Sequence, residues 1–163
     1  MRIGLISDTH NDQRNIKRAL TRFRQEAITT LLHAGDITRA KTLRLFEGFD
    51  LYAAKGNMDR DPALRQVAES MFGHDRLKRV HRLTLDGVRI ALTHGDNYQE
   101  YSQLIASQAF DYVIRGHTHR CQDEKVDSTR VINPGALKAP SWQSASCAIL
   151  NTATGDLTWI RLS

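Results

Sequence analysis

The stretch RIGLISDTH, residues 2–10, joins an apolar run to polar side chains that can bind a metal ion. Residues 2–7 predict a buried β-strand, and Asp8 and His10 follow it closely. Residues 12–27 then place apolar side chains at helical spacing, which predicts an amphipathic helix. A strand followed by a helix begins a βαβ unit, so this stretch predicts an α/β fold with a parallel sheet.

The same arrangement recurs four times, because each further strand-like run ends at polar residues and a glycine. The runs are residues 29–34, 51–55, 89–93 and 112–115, and they are followed by Gly35-Asp36, Gly56-Asn57, His94-Gly95-Asp96 and Gly116-His117-Thr118-His119. Ligands of α/β sheets bind outside the carboxyl ends of the strands, so we expect the five polar segments to converge on one rim. We expect His117 and His119, two positions apart, to point to the same face.

The second half of the chain predicts hairpins. Residues 79–85 and 88–93 flank an Asp-Gly turn, and residues 145–151 and 157–162 flank another turn at 154–156. The remaining predictions are helices around residues 40–47 and 99–110, a strand over residues 130–133, and either a helix or a loop over residues 61–73. The chain has no low-complexity linker and no repeat of fold size, so we expect one domain over residues 1–163.

Size and composition are those of an ordinary globular domain, with 163 residues, 40% of them hydrophobic and 25% charged. No apolar run is long enough to span a membrane. The strand at the very start of the sequence argues against a signal peptide. Cys121 and Cys147 are the two cysteines, too few for a disulfide framework. We therefore expect a cytoplasmic protein, free or as a homo-oligomer.

The net charge of +5 and the pI near 9.5 suit anionic substrates or nucleic acid. Several arginines lie on the predicted helix over residues 12–27, opposite its apolar side chains. We interpret them as a solvated face, because no aromatic residues alternate with them as in a nucleic-acid stripe. Nucleic acid is therefore only weakly supported as a partner.

The polar residues at the strand ends are the right types for a mixed nitrogen and oxygen metal site. The candidates are Asp8, His10, Asp36, Asn57, His94, His117 and His119. A set of Asp, His and Asn without cysteine suits Mn²⁺, with Ni²⁺, Co²⁺, Fe²⁺ or catalytic Zn²⁺ as alternatives. Seven candidates are too many for one ion and suit two ions that share a carboxylate. Spacing alone does not decide whether His33 or His94 is a metal ligand, since each lies shortly before a Gly-Asp pair.

In its order of motifs the sequence resembles the calcineurin-like metallophosphoesterases, in particular their small bacterial and archaeal phosphodiesterase branch. The matching segments are Ser7-Asp8-Thr9-His10, Gly35-Asp36, Gly56-Asn57, Thr93-His94-Gly95, Gly116-His117-Thr118-His119 and Asn133-Pro134-Gly135. That branch is related to the scaffold subunit of the retromer complex. The resemblance implies a four-layer α/β/β/α sandwich of mixed sheets.

The resemblance also implies a role for each matching residue. Asp8, His10 and His119 would hold one ion, and Asn57, His94 and His117 would hold the other. Asp36 would bridge them, and the two histidines of the GHTH motif would reach one ion each. Asn11 stands where relatives often have glycine, and asparagine tolerates the positive φ expected there.

The chain departs from many larger relatives directly after the asparagine ligand. Those relatives carry a histidine that is proposed to protonate the leaving group, whereas this chain has Met58. Asp59 or water could supply the proton instead, and Arg60 could contact the phosphate. The alternative is that these residues form a plain polar turn.

Together these features predict a phosphodiesterase with two divalent ions, in which a hydroxide held between the ions attacks a small phosphodiester substrate. A phosphomonoesterase or a nuclease with the same centre is the alternative among enzymes. An interaction scaffold like the retromer subunit is the alternative among non-enzymes, and it predicts eroded ligands. None of the seven positions is eroded.

Overall fold

The computed structural model describes residues 1–140 and 143–162, and its strands form two mixed sheets. In chain order the strands are β1 (Arg2–Ile6), β2 (Thr30–His33), β3 (Asp50–Ala54), β4 (Leu77–Lys78), β5 (Val80–Leu85), β6 (Val88–Thr93), β7 (Tyr112–Ile114), β8 (Cys121–Val126), β9 (Thr129–Pro134), β10 (Ala145–Asn151) and β11 (Leu157–Leu162). The helices are α1 (Gln13–Gln25), α2 (Ala40–Leu43), α3 (Leu64–Phe72) and α4 (Tyr98–Ala106).

The first sheet has the strand order β11-β10-β1-β2-β3-β4. Strands β1 to β4 are parallel, as the βαβ pattern predicts, and the C-terminal hairpin of β10 and β11 adds antiparallel strands beside β1. The second sheet has the order β5-β6-β7-β9-β8, with β6, β7 and β9 parallel and an antiparallel strand at each edge. Within each sheet, the carboxyl ends of the parallel strands lie on the same side.

Three hydrophobic cores separate four layers, which confirms the α/β/β/α sandwich. The first core packs α1, α2 and α3 against the first sheet and includes Phe23, Phe46 and Leu51. The second lies between the two sheets and the third lies beneath α4. The amphipathic prediction for α1 is also confirmed, because Ile16, Ala19, Leu20 and Phe23 are its buried residues.

Two strands escape prediction from the sequence. Strand β4 has only two residues, and β8 is an edge strand with mostly exposed polar side chains, so neither shows a strand's apolar alternation. The helix expected around residues 40–47 divides into α2 and a 3₁₀ turn at Arg44–Phe46. The ambiguous segment contains helix α3, and no helix among the described residues is long and apolar enough to cross a membrane.

Candidate metal centre

Backbone hydrogen bonds join the loops that follow the parallel strands. The N–H groups of Asp8 and His10, after β1, donate to the carbonyls of Gly35 and Asp36, after β2, at 3.0 and 2.9 Å. A bond of 3.1 Å from the His117 N–H to Asp8 Oδ2 links the two sheets. The convergence expected from the strand ends is therefore present, and all seven predicted side chains lie in this region.

Asp36 occupies the middle of the cluster. Its Oδ2 lies 3.6 Å from His10 Nε2 and 3.5 Å from His94 Nε2. Its Oδ1 accepts a hydrogen bond of 2.9 Å from the backbone N–H of Met58. The backbone therefore orients the carboxylate, and one oxygen faces a histidine on each side.

Asp8 is arranged in the same way at one end of the cluster. Its Oδ2 accepts hydrogen bonds from the Ser7 hydroxyl and the His117 N–H, at 2.5 and 3.1 Å. Its Oδ1 lies 3.1 Å from His119 Nε2 and 3.9 Å from His10 Nε2. Asp8, His10 and His119 thus present three ligand atoms to one point, and Asp8, Asp36 and His94 form a second such group.

Two candidate ligand atoms in this region lack the hydrogen bonds that buried polar atoms normally make. Asp8 Oδ1 and His10 Nε2 are buried and have no hydrogen-bond partner among the described residues. The His94 Nδ1–H donates to the Ala34 carbonyl at 2.8 Å, and its Nε2 lies 3.0 Å from Asn57 Oδ1 and 3.5 Å from Asp36 Oδ2. A neutral imidazole with its proton on Nδ1 binds a metal ion through Nε2, beside these two oxygens. The residues present therefore fit divalent metal ions.

The backbone at the ligands is unusual. Five predicted ligands have a positive φ, at 50° for Asp8, 39° for His10, 61° for Asp36, 68° for His117 and 59° for His119. Left-handed residues other than glycine cost on the order of 1–3 kcal/mol each and concentrate at functional sites. The expected positive φ of Asn11 is confirmed at 59°.

The left-handed conformation changes how the GHTH histidines point. They lie beyond strand β7, which ends at Ile114, so the strand periodicity behind the same-face expectation does not apply to them. The His117 ring lies 5.1 Å from the His94 ring, and the His119 ring lies 5.5 Å from the His10 ring. Each histidine therefore approaches a different half of the cluster.

Two glycines allow this close packing. A Cβ on Gly56 would overlap Asp36 Oδ1, and a Cβ on Gly116 would overlap Ser7 Oγ and crowd Asp8 Oδ2. Neither glycine has a positive φ, so close approach and not backbone freedom is what requires glycine here.

The pKa shifts in the cluster differ from one residue to the next. The Asp8 carboxylate raises the pKa of His119. Burial alone would lower the pKa of His94, but its interaction with Asp36 outweighs burial and raises that pKa. Burial lowers the pKa of His10. Burial would also raise the pKa of Asp36, but its contacts with His94 and the Met58 N–H lower it.

Two further residues that the sequence singles out, His33 and Asn133, support the loops around the cluster. His33 is fully buried, its Nδ1 accepts from the Gly35 N–H at 3.1 Å, and its Nε2 lies 3.1 Å from Thr9 Oγ1. It therefore braces the loops after β1 and β2 and stays outside the ligand cluster. Asn133 donates to the Gly116 carbonyl at 2.8 Å and to Thr118 Oγ1 at 3.0 Å, which supports the GHTH loop.

Asp59 and Arg60 occupy different surroundings. Asp59 is buried, and its carboxylate accepts backbone N–H groups from Asp36, Thr38 and Gly56 at 3.0, 2.6 and 2.8 Å. Arg60 is exposed, and its Nε donates to the Asn57 carbonyl at 3.3 Å. Asp59 is thus enclosed by backbone donors, while the Arg60 guanidinium borders solvent near the cluster.

Comparison with known proteins gives consistent matches. The profile of the calcineurin-like phosphoesterase superfamily domain matches residues 1–155. A phosphodiesterase of Methanocaldococcus jannaschii is 32% identical over 138 residues, which are 83% of each chain. A solved archaeal phosphodiesterase has a TM-score of 0.91 at 30% identity and covers 99% of this chain and 100% of its own. Vps29 of Entamoeba histolytica, solved with zinc, has a TM-score of 0.70 at 18% identity over 99% of this chain and 98% of its own, and this likeness shows the fold alone.

Proposed function

Because the chain belongs to the calcineurin-like phosphoesterase superfamily and is 32% identical to a phosphodiesterase, we propose that it is a phosphodiesterase with two divalent ions. The observation that carries the proposal is the position of Asp36 Oδ2, at nearly equal distances from His10 Nε2 and His94 Nε2. A carboxylate oxygen between two ligand histidines suits an ion on each side. The phosphodiesterase relatives at 30% and 32% identity support the same reaction.

The proposed ligand sets follow the two halves of the cluster. Asp8, His10 and His119 would hold one ion, while Asn57, His94 and His117 would hold the other. Asp36 would belong to both. The grouping of Asp8, His10 and His119 around one point and the approach of His117 to His94 support this division. Oxygen and imidazole ligands without thiolate favour Mn²⁺.

The chain contributes orientation and charge to the reaction. Divalent ions, when bound, supply Lewis acidity that activates water and offsets charge on the phosphoryl oxygens. The backbone bonds of Asp8 and Asp36 keep one oxygen of each carboxylate directed at the centre. Arg60 would contact a phosphate of the substrate through its exposed guanidinium. The three N–H bonds of Asp59 favour a positioning role for this residue, so water is the better candidate to protonate the leaving group.

The scaffold alternative rests on the Vps29 fold and gains no further support from this chain. A protein that used the fold only as a docking surface would have no need for buried Asp8 Oδ1 and His10 Nε2 atoms that lack a hydrogen bond among the described residues. It would also have no need for five ligand residues in a left-handed conformation. Such features cost stability, and a metal-dependent reaction accounts for them.

The proposal is tested with metal-free protein to which Mn²⁺, Ni²⁺, Co²⁺, Fe²⁺ or Zn²⁺ is added separately. The substrates are bis(4-nitrophenyl) phosphate and 4-nitrophenyl phosphate. We expect hydrolysis of the diester only with metal, two ions per chain by elemental analysis, and a higher kcat/KM for the diester. A preference for the monoester would make the protein a phosphomonoesterase. Absence of hydrolysis with every ion would refute the enzymatic proposal.

A further inference from the structure

Two adjoining cavities lie beside the candidate metal centre, between α2 and the loop that follows β3. The first has a volume of about 470 Å³, and its lining includes His10, Met58, Arg39 and Arg60. The second has a volume of about 480 Å³, shares Arg39 with the first and adds Lys41. Both volumes are in the range of ligand-binding sites. Because His10 lines the first cavity, a ligand there would also reach the metal centre.

The two cavities carry an excess of positive charge. Arg39, Lys41 and Arg60 are exposed, and none forms an ion pair with a carboxylate in the described part of the chain. Some cations further along the same surface are engaged, in the pairs Arg65–Glu69, Lys78–Asp75 and Arg79–Glu100. Unlike these, the three cations at the cavities are available to an anionic ligand.

Asp61 is the acidic residue that lines both cavities, and the backbone engages both of its oxygens. Oδ2 accepts from the Ala40 N–H at 2.9 Å, and Oδ1 accepts from the Ala63 N–H at 3.0 Å. These hydrogen bonds tie the loop carrying Arg60 to the start of the helix beside Arg39. The carboxylate thus holds the two arginines on a common wall. Its charge interacts with that of Arg39, but it forms no ion pair with either arginine among the described residues.

We propose that these cavities bind a second phosphate group of the substrate, adjacent to the diester that is cleaved. Guanidinium groups bind phosphate through paired, charge-assisted hydrogen bonds, and Arg39 and Arg60 offer two of them beside His10. The inference rests on the proposed phosphodiesterase function and narrows its substrate class. The preferred substrate is a phosphodiester that carries a further phosphate on the adjoining unit, as in a 5′-phosphorylated nucleotide chain.

The first test compares two dinucleotides that differ by one phosphate, thymidylyl thymidine with and without a 5′-phosphate. Cleavage of the internal diester is followed by chromatography in metal-loaded protein. We expect kcat/KM to be about tenfold higher for the phosphorylated dinucleotide, through a lower KM. In the Arg39→Gln/Arg60→Gln double variant this ratio should fall toward one. Arg39→Lys, which keeps the charge but loses the paired hydrogen bonds, should keep only part of it, and the remote Lys125→Gln should keep all of it.

A wild-type ratio near one, or an unchanged ratio in the double variant, overturns the proposal. A ten-nucleotide thymidylate strand, tested as a third substrate, shows whether the second phosphate belongs to a nucleic-acid strand or to a small nucleotide. If the rate per bond is well above that of the phosphorylated dinucleotide, the preferred substrate is a polymer. If the two rates are equal, the preferred substrate is a small nucleotide. Either of these results supports a second-phosphate site.

The second test does not depend on catalysis. Thymidine 5′-monophosphate is titrated calorimetrically into metal-free protein. We expect its Kd to rise about tenfold in the double variant and to stay unchanged in Lys125→Gln. Equal affinity of wild type and double variant overturns the site. If no diester is cleaved with any metal, the proposed function fails, and this titration still decides whether the phosphate site exists.

Discussion

The Asp59 carboxylate accepts a hydrogen bond of 3.0 Å from the backbone N–H of Asp36. The same carboxylate accepts the N–H groups of Thr38 and Gly56, so it ties the loop after β2 to the loop after β3. Asp36 and Asn57, one on each loop, are both proposed ligands. The distance between the two ligands therefore depends on a buried residue that need not touch a metal.

Asp59→Ala should leave three N–H groups without a partner and lower the free energy of unfolding by about 3 kcal/mol. Asp59→Asn keeps one acceptor oxygen, so its loss should be smaller, with weaker metal binding in both variants. Denaturant unfolding and elemental analysis measure these effects, with the exposed turn variant Asp127→Asn as control. If Asp59 were instead the proton donor, Asp59→Asn would abolish the alkaline limb of the pH–rate profile while metal content stayed complete.

Asp36→Ala should remove most of both ions and lower kcat/KM by more than about 100-fold, the upper end for residues that only support a ligand. Asn57→Ala should reduce the occupancy of one ion and leave the other largely in place. Metal content per chain and kcat/KM for a diester are measured together. Asp96→Asn is the matched control, because Asp96 follows the His94-Gly95 pair but belongs to neither ligand group. An Asp36→Ala protein that keeps two ions would contradict the bridging role.

Because of His33, the free energy of unfolding should decrease as the pH is lowered. Burial lowers its pKa from the ordinary 6.5 to about 3. Below pH 6.5 the unfolded chain takes up a proton at this position and the folded chain does not, so the free energy of unfolding decreases down to about pH 3. Between pH 7 and pH 5 the decrease should be up to about 2 kcal/mol.

Urea unfolding of metal-free protein at the two pH values measures this decrease. His33→Gln should show a smaller decrease than wild type, because glutamine does not titrate. The exposed His74→Gln variant should match wild type. Equal pH dependence in wild type and His33→Gln would show that His33 takes up its proton in the folded state as well.

Met58 should make the rate sensitive to the leaving group. Its side chain is 42% exposed and its backbone N–H donates to Asp36 Oδ1, so the position borders the centre but offers no titratable side chain. A positioned acid contributes typically about 10²–10⁴-fold. Activated aryl diesters should therefore react much faster than alkyl diesters, and Met58→His should narrow the difference.

The leaving-group dependence is measured as kcat/KM for diesters that differ only in that group, with metal content checked in wild type and Met58→His. A flat dependence in wild type, with bond cleavage rate-limiting, would mean that a proton donor is already present. Loss of metal in Met58→His would mean that the new imidazole captures an ion, and Met58→Gln then serves as the polar control.

The strand ends, the Asn11 turn and the Asp86-Gly87 turn are local features, and the residues themselves predict them. Apolar runs followed by glycine, aspartate or histidine predict β1, β2, β3, β6 and β7 together with the rim where they end. The Asp86-Gly87 turn has φ values of 53° and 78°, which suits the predicted two-residue hairpin. Strand β8 has no apolar run that would predict it. Its pairing with β9 stabilises it as a strand.

The sequence alone determined which residue types gather at the carboxyl ends of the strands, because chain direction and period-two alternation place them there whatever else packs around the sheet. Tertiary structure decided which atom of each residue faces the centre. It turned Asp59 toward three backbone N–H groups, placed His33 behind the ligands, and separated His117 from His119. It also brought Arg39 and Arg60 together from different loops. Most of these contacts join residues that are far apart in the sequence, and no local pattern encodes the packing that brings such residues together.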